Sequence, residues 1–275
     1  MVLEAIFSAE TLEDKPRDMF ILAFVVTLVV AFLSYYIFPE YAGIVIPLLV
    51  TVAMTPIVRD IFIIDEGFER RQVKKKFFKS FWDRHDETIK VLAFFFLGSF
   101  AAIFLLMLVL PEDMISVIFK PQLDAIMAIT GSTEYSLTGA AITQNAINRG
   151  DVFSMIGWNN MKVLAFSFVL SFLFSTGSLF ILSWNASILA IFLAVLVRRG
   201  LYHEFLSTTI GIIPHTPVEI GAYFLGAVAG GVLSVGIMNE RWGSKELSLV
   251  IRDTAILLGL AILAVVVGAG IEVYI

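Results

Sequence analysis

Cysteine is absent from the 275 residues, and charge is scarce. The first absence rules out disulfides, thiolate metal sites and cysteine nucleophiles together, and leaves the redox compartment unreadable. Three histidines, His85, His203 and His215, are too scattered for HExxH or another tight metal cluster. No Walker-type glycine-rich loop and no G-x-S-x-G elbow occur. Charged residues make up 16% of the chain, where a soluble domain carries about 25%. The 59% hydrophobic content, with 25 Phe, calls for the lipid bilayer as solvent. The net charge of −5 is small and unevenly placed, and no nucleic-acid partner is expected. No catalytic residue, cofactor or metal is assigned, and the chain reads as non-enzymatic. An aspartyl intramembrane protease needs two carboxylates within spans, and only Glu219 qualifies. A Ser–His pair stays open, because no spacing singles one out.

A helix needs about 20 apolar residues to cross hydrocarbon. Met19–Phe38 meets that without a charge, and Tyr41–Val58 follows after Pro39-Glu40 as the second arm of a hairpin, with Pro47 and Pro56 expected to bend it. Ile89–Leu110, Met161–Ser183 and Thr254–Ile275 are three more full spans. Trp184–Val197 is short for a crossing and reads as tilted or re-entrant. The stretch Phe205–Met238 holds one charge, Glu219, and would reach about 50 Å as one helix, too long for a bilayer. Pro214-His215-Thr216-Pro217 divides it into a half-helix, Phe205–Ile213, and a full span, Pro217–Met238. The fold class is an all-α polytopic transmembrane bundle of about six or seven spans, with a broken or re-entrant segment before Pro214.

Arg59–Lys90 holds nine basic residues, and 111–160 only two, Lys120 and Arg149. This asymmetry places the basic loop, and the N-terminus, in the cytoplasm of a multi-pass cell-membrane protein. Arg198-Arg199 strains the count, because seven crossings put the pair outside. The segment ahead of Met19 carries Glu4, Glu10, Glu13, Asp14 and Asp18 against Lys15 and Arg17, unlike a cleavable signal peptide. The organisation is then an N-terminal segment 1–18, a hairpin 19–58, a basic loop 59–88 and a membrane domain 89–275. Within that domain, 111–160 is extracytoplasmic and amphipathic, with Met114–Ile129 and Tyr135–Arg149 lying on the outer surface as helices. The run Arg70, Arg71, Lys74, Lys75, Lys76 and Lys79, interleaved with Phe77 and Phe78, suits anionic lipid head groups.

Ionisable residues at membrane depth are expensive, so each one is a candidate. Lys162 snorkels from a span end and Glu272 lies close to the last residue, which leaves Glu219 with His215 beside it. Thr216-Pro217-Val218-Glu219 reads as a capping box, with Thr216 at N-cap and Glu219 bonding back to its amide. The functional alternative is that the broken helix lines a site where His215 and Glu219 carry a proton or bind a head group. Asn159, Asn160 and Asn185 are expected as caps or turns at span ends. Ala222, Gly226, Gly230 and Ser234 form one small-residue stripe, and Ser167, Ser171, Ser175 and Ser178 another. Both are expected to pack helices within the bundle, with a homodimer seam as the alternative.

Asn159-Asn160, Gly177, Trp184-Asn185-Ala186, Ile213-Pro214-His215-Thr216-Pro217-Val218-Glu219 and Gly226 together resemble the stage II sporulation protein M family, whose hallmark is a Pro-His-Gly-x-x-Glu turn opening a small-residue-rich helix. Thr216 stands where that family usually has Gly, and Ala appears near Asn185 where Gly is common. The resemblance covers mainly 155–238 and more loosely about 70–275, with the hairpin 19–58 as an addition. It implies a non-enzymatic membrane component that organises partner proteins, with Pro214, His215 and Glu219 the positions that matter. The leading expectation is a scaffold or assembly subunit with membrane-protein partners. A transporter or channel using the Pro214–Glu219 turn is the alternative, and an intramembrane enzyme the third.

Overall fold

Long apolar runs bounded by Pro, Gly and charge become helices here, because a backbone in hydrocarbon must satisfy its own polar groups. The computed structural model describes residues 9–71, 77–130 and 149–274. A short α1 (Ala9–Asp14) precedes α2 (Asp18–Ile37), a 3-10 turn at Pro39–Tyr41, α3 (Ala42–Arg71) and α4 (Phe77–Val109). Two short helices follow, α5 (Glu112–Ile118) and α6 (Lys120–Thr130). Then come α7 (Arg149–Phe174), α8 (Ser178–Arg198), α9 (Tyr202–Ile212), α10 (Thr216–Asn239) and α11 (Lys245–Tyr274). Among the described residues no strand occurs, and seven helices are long and apolar enough to cross a membrane: α2, α3, α4, α7, α8, α10 and α11. The protein is an all-α, multi-pass helical bundle.

The order of contacts gives the helix directions. Asn160, Ser171 and Ser175 of α7 and its end meet Tyr223, Ala227 and Ser234 of α10 in the same sequence, so those two helices run parallel. Val250 and Gly268 of α11 meet Gly236 and Glu219 of α10 in reverse order, so α11 is antiparallel. We call the end where α3 hands over to α4 proximal, and the end carrying α5, α6 and α9 distal. Every span then alternates in direction.

Two expectations are corrected. Trp184–Val197 is not a short re-entrant piece: the helix break falls at Ser175–Gly177, and α8 runs 21 residues from Ser178. There Ser175 takes a left-handed φ of 59°, and a side chain at Gly177 would strike the Leu170 carbonyl. The preceding span starts at Arg149 rather than Met161, so Asn159 and Asn160 lie inside α7 and not at its end. Asn185 likewise sits within α8 and donates Nδ2–H to Ile181 O at 2.7 Å. Met114–Ile129, expected as an amphipathic helical stretch around Pro121, is helical and has one buried face. It forms α5 and α6, which bury Gln122, Leu123 and Ile126, with Gln122 reaching Gly43 at the distal start of α3 and Ser187 of α8. Apart from Arg149, the stretch Tyr135–Arg149 falls outside the described residues, as do Lys74, Lys75 and Lys76. Pro47 and Pro56 both lie within α3, and neither ends it.

Two side chains close backbone gaps. Pro47 has no N–H to give the Gly43 carbonyl four residues earlier, and Gln122 supplies one from α6, Nε2 to O at 2.7 Å. Arg198 donates through Nη1 to the carbonyls of Met107 and Leu110, both at 2.8 Å, at the end of α4. Those carbonyls lack intrahelical partners, and a cation suits the negative end of the helix dipole. The arginine that strained the charge count is thus engaged in capping.

The small-residue stripes are used within the chain. A side chain at Gly230 would run into the Phe168 carbonyl, and Gly226 faces Leu164, both on α7. Ser167 Oγ donates to Tyr223 O at 3.1 Å, and Ser171 Oγ lies 2.8 Å from Ala227 O and 2.6 Å from Ser175 O.

At the proximal end, α3 and α4 continue past their apolar runs and bring three buried ionisable groups together. His85 Nδ1–H donates to Asp65 Oδ1 at 2.9 Å, Thr88 Oγ1–H to Asp65 Oδ2 at 2.7 Å, and His85 Nε2 lies 3.8 Å from Asp253 Oδ2. All three ionisable side chains are fully buried. The ring stands between the two carboxylates, each of which has a further partner, Thr88 for Asp65 and Arg252 for Asp253.

Two outcomes test this packing. Gly230→Ala should lower Tm in detergent, by an overpacking cost of about 1–3 kcal/mol. Gly221→Ala, where an added Cβ meets nothing within 4 Å, should be neutral or stabilising by up to about 1 kcal/mol. Equal effects would sink the seam. His85→Leu should cost about 3–5 kcal/mol by leaving two buried carboxylates without their shared partner. Asp86→Asn, which breaks the exposed 2.6 Å pair with Lys90, should cost under about 1 kcal/mol in the same denaturation assay.

Candidate functional site

The turn that parts α9 from α10 lies at the distal end. Its geometry departs from the capping box. His215, not Thr216, precedes the first helical residue, and no side chain caps it. The His215 carbonyl accepts from Val218 N at 2.9 Å and Glu219 N at 3.1 Å. His215 holds φ −105° and ψ −41°, so the helical winding begins one residue early and Thr216 never takes the extended conformation an N-cap needs. The Glu219 carboxylate is released from capping and turns sideways, toward α7 and α11.

There it meets four other polar groups. Asn160 of α7 stands beside the Glu219 carboxyl group. The Asn160 amide is itself oriented by Tyr223, whose hydroxyl donates to Oδ1 at 3.0 Å. With its oxygen engaged, the amide presents its NH2 to the carboxylate. Asn160 and Tyr223 are buried, at 7% and 5% exposure, so neither finds water as a substitute. His215 and Glu272 complete the group: one ligand-type atom from each of His215, Glu219 and Glu272 lies within 4.8 Å of the others. Gly268 makes the approach possible, since a Cβ there would stand 2.5 Å from Glu219 Cγ.

Of the residues singled out in the sequence, His215, Glu219 and Asn160 converge, and Pro214 and Thr216 shape the turn that positions them. Asn185 lies in α8 and is not among the groups gathered here. Ala222, Gly226, Gly230, Ser167, Ser171 and Ser175 form the α7–α10 seam beneath it. Arg70 and Arg71 lie at the end of α3 and Lys79 near the start of α4, at the opposite end of the bundle. The sequence reading missed Tyr223 and Glu272. Tyr223 follows Glu219 at i+4, a spacing that puts both on one helix face. Glu272 was passed over for its position near the last residue, on a different helix from its partner.

Residues 91–275, well over half the chain, match the Stage II sporulation protein M family, a stretch that includes every residue of this polar group. No curated protein and no solved structure matches the chain. The turn, the paired asparagines and the small-residue helix that the match spans leave one assignment: the chain belongs to the Stage II sporulation protein M family.

Proposed function

We propose that this chain does no chemistry of its own and acts as a scaffold or assembly subunit of a membrane complex. One observation carries the reading. The polar residues of the turn connect three helices, α7, α10 and α11, at one end of a bundle whose seams are closed to van der Waals contact at Gly98, Gly230 and Gly231. Such an arrangement fixes the relative positions of helices. It suits a part that presents a rigid outer end to other membrane proteins. A second reading, a transporter or channel, draws on Glu219 Oε1, which is shielded from solvent and accepts no hydrogen bond among the described residues. An open acceptor at a helix break is what a solute site requires.

The two readings part in one pair of assays. Affinity capture from native membranes in mild detergent should recover a membrane-protein partner in fixed ratio, and proteoliposomes should show no ion or solute flux above protein-free vesicles. A flux abolished by Glu219→Gln would replace the scaffold with the transporter.

The proposed orientation puts the proximal end and the N-terminus in the cytoplasm of a cell membrane and the distal end outside. The basic residues 70–79 then meet anionic head groups, each worth about 1 kcal/mol near the surface. The lack of native cysteine makes this simple to check. In intact cells an impermeant maleimide should label His203→Cys, on α9, and should reach Lys245→Cys, at the start of α11, only after permeabilisation. The opposite pattern would invert the topology.

A further inference from the structure

We propose that His215, Glu219 and Glu272 form a binding site for one divalent transition-metal cation, with zinc as the representative ion. An imidazole nitrogen and two carboxylate oxygens converge within 4.8 Å. Atoms bound at 2.0–2.2 Å around one tetrahedral centre stand about 3.4 Å apart, so side-chain rotations that move these atoms by roughly an ångström close the set. The donor types choose the ion class. Imidazole with carboxylates suits zinc and its first-row neighbours, whereas calcium and magnesium prefer oxygen alone.

A second observation comes from the atoms around the cluster. Glu219 Oε1 has no solvent exposure and no hydrogen-bond donor among the described residues. It lies against α11, 3.3 Å from the position a Cβ at Gly268 would take, one turn before Glu272. A buried, unfilled carboxylate oxygen is expensive to maintain unless something positive meets it. Metal ligands bind deprotonated, and in that state two carboxylates and an imidazole carry two negative charges, which a dication balances.

The surroundings also have the form of an outer shell. Metal-binding carboxylates are commonly held by hydrogen bonds from a second layer of residues. Here Asn160 stands beside Glu219, with its amide oriented by the Tyr223 hydroxyl. Three protein ligands leave at least one coordination position open for water or for a donor from outside the chain. Glu272 is exposed and His215 half-buried, so an ion reaches the site from the distal end without unfolding it. The bound ion would clasp the start of α10 to the last turns of α11.

The site goes beyond the scaffold reading and is tested apart from it. Full-length protein in detergent is stripped with chelator and titrated with zinc chloride by calorimetry, with elemental analysis of the metal retained after gel filtration. One zinc per chain is expected, with a higher Tm when loaded, and calcium at the same concentration should leave Tm unchanged. Glu272→Gln and His215→Ala should each weaken zinc binding by at least about tenfold. Gly268→Ala should do the same by displacing Glu219 without removing a ligand. Glu272 is exposed, so its variant tests the site even where Glu219→Gln fails to fold. No binding up to zinc concentrations on the order of 1 mM overturns the site. So does equal affinity in wild type and in the His215→Ala, Glu272→Gln double variant. A chain that takes no zinc yet still captures its partner loses the metal site and keeps the scaffold reading.

Discussion

Inside hydrocarbon no water waits for an unpaired carbonyl, and this bundle is organised by where its backbone runs short of hydrogen bonds. Three of the interruptions described above are matched by a side chain. The gap left by Pro47 is met by Gln122, and the last carbonyls of α4 by Arg198. The turn between α7 and α8 is met by Ser171, 2.6 Å from Ser175 O. In the first two cases the partner belongs to a different helix, so satisfying one helix fixes the placement of another. In α5 and α6 Gln122 serves this purpose, while Glu112, Asp113, Ser116, Lys120 and Asp124 stay exposed.

The same constraint gives the break at Pro214 its meaning. Pro217 cannot donate, and the His215 carbonyl takes the amides of Val218 and Glu219 instead. With the backbone satisfied by backbone, the polar side chains of the turn have nothing local to do. They reach across to neighbouring helices, and the close approach that permits this depends on Gly268 on one side and Gly226 and Gly230 on the other. Packing of small residues and convergence of polar ones are therefore two aspects of one seam.

Span number, the division at Pro214 and the isolation of Glu219 as the one charge of its stretch could be read from the sequence, because hydrophobic length and a lone charge are local signals. Helix ends were less legible. Arg149–Asn160 is too polar to count as a span by composition, yet it continues α7 with Asn160 turned inward, where the hydrophobic run alone points to a start at Met161. The break after Phe174 was invisible because serine and threonine are tolerated in a membrane helix. Glu272 stands close to the last residue, and Asp65, His85 and Asp253 fall outside the apolar runs, so none of them stands out in the sequence. What distinguishes them is the partner, and in every case the partner stands on another helix. Pairing between remote segments has no signature in a single chain.

The proximal cluster bears on how the N-terminal hairpin relates to the rest. The family match starts at residue 91, after Asp65 and His85 but well before Asp253. The buried contacts of His85 therefore join the matched region to helices outside it. The hairpin is held by more than this: Thr55 Oγ1 lies 2.9 Å from Thr176 Oγ1, and Phe62 occupies the space a side chain at Gly231 would need. A segment merely appended to a finished bundle would meet it through lipid-like surfaces and could be removed with little loss. This one supplies a buried carboxylate to a shared charge network, and deleting it would leave His85 and Asp253 facing hydrocarbon without the Asp65 carboxylate. Asp253 and Glu272 stand on one helix about 28 Å apart at 1.5 Å per residue. α11 is thereby pinned at its proximal end by the hairpin and faces the turn at its distal end, so a force on either end is carried along one rigid strut to the other.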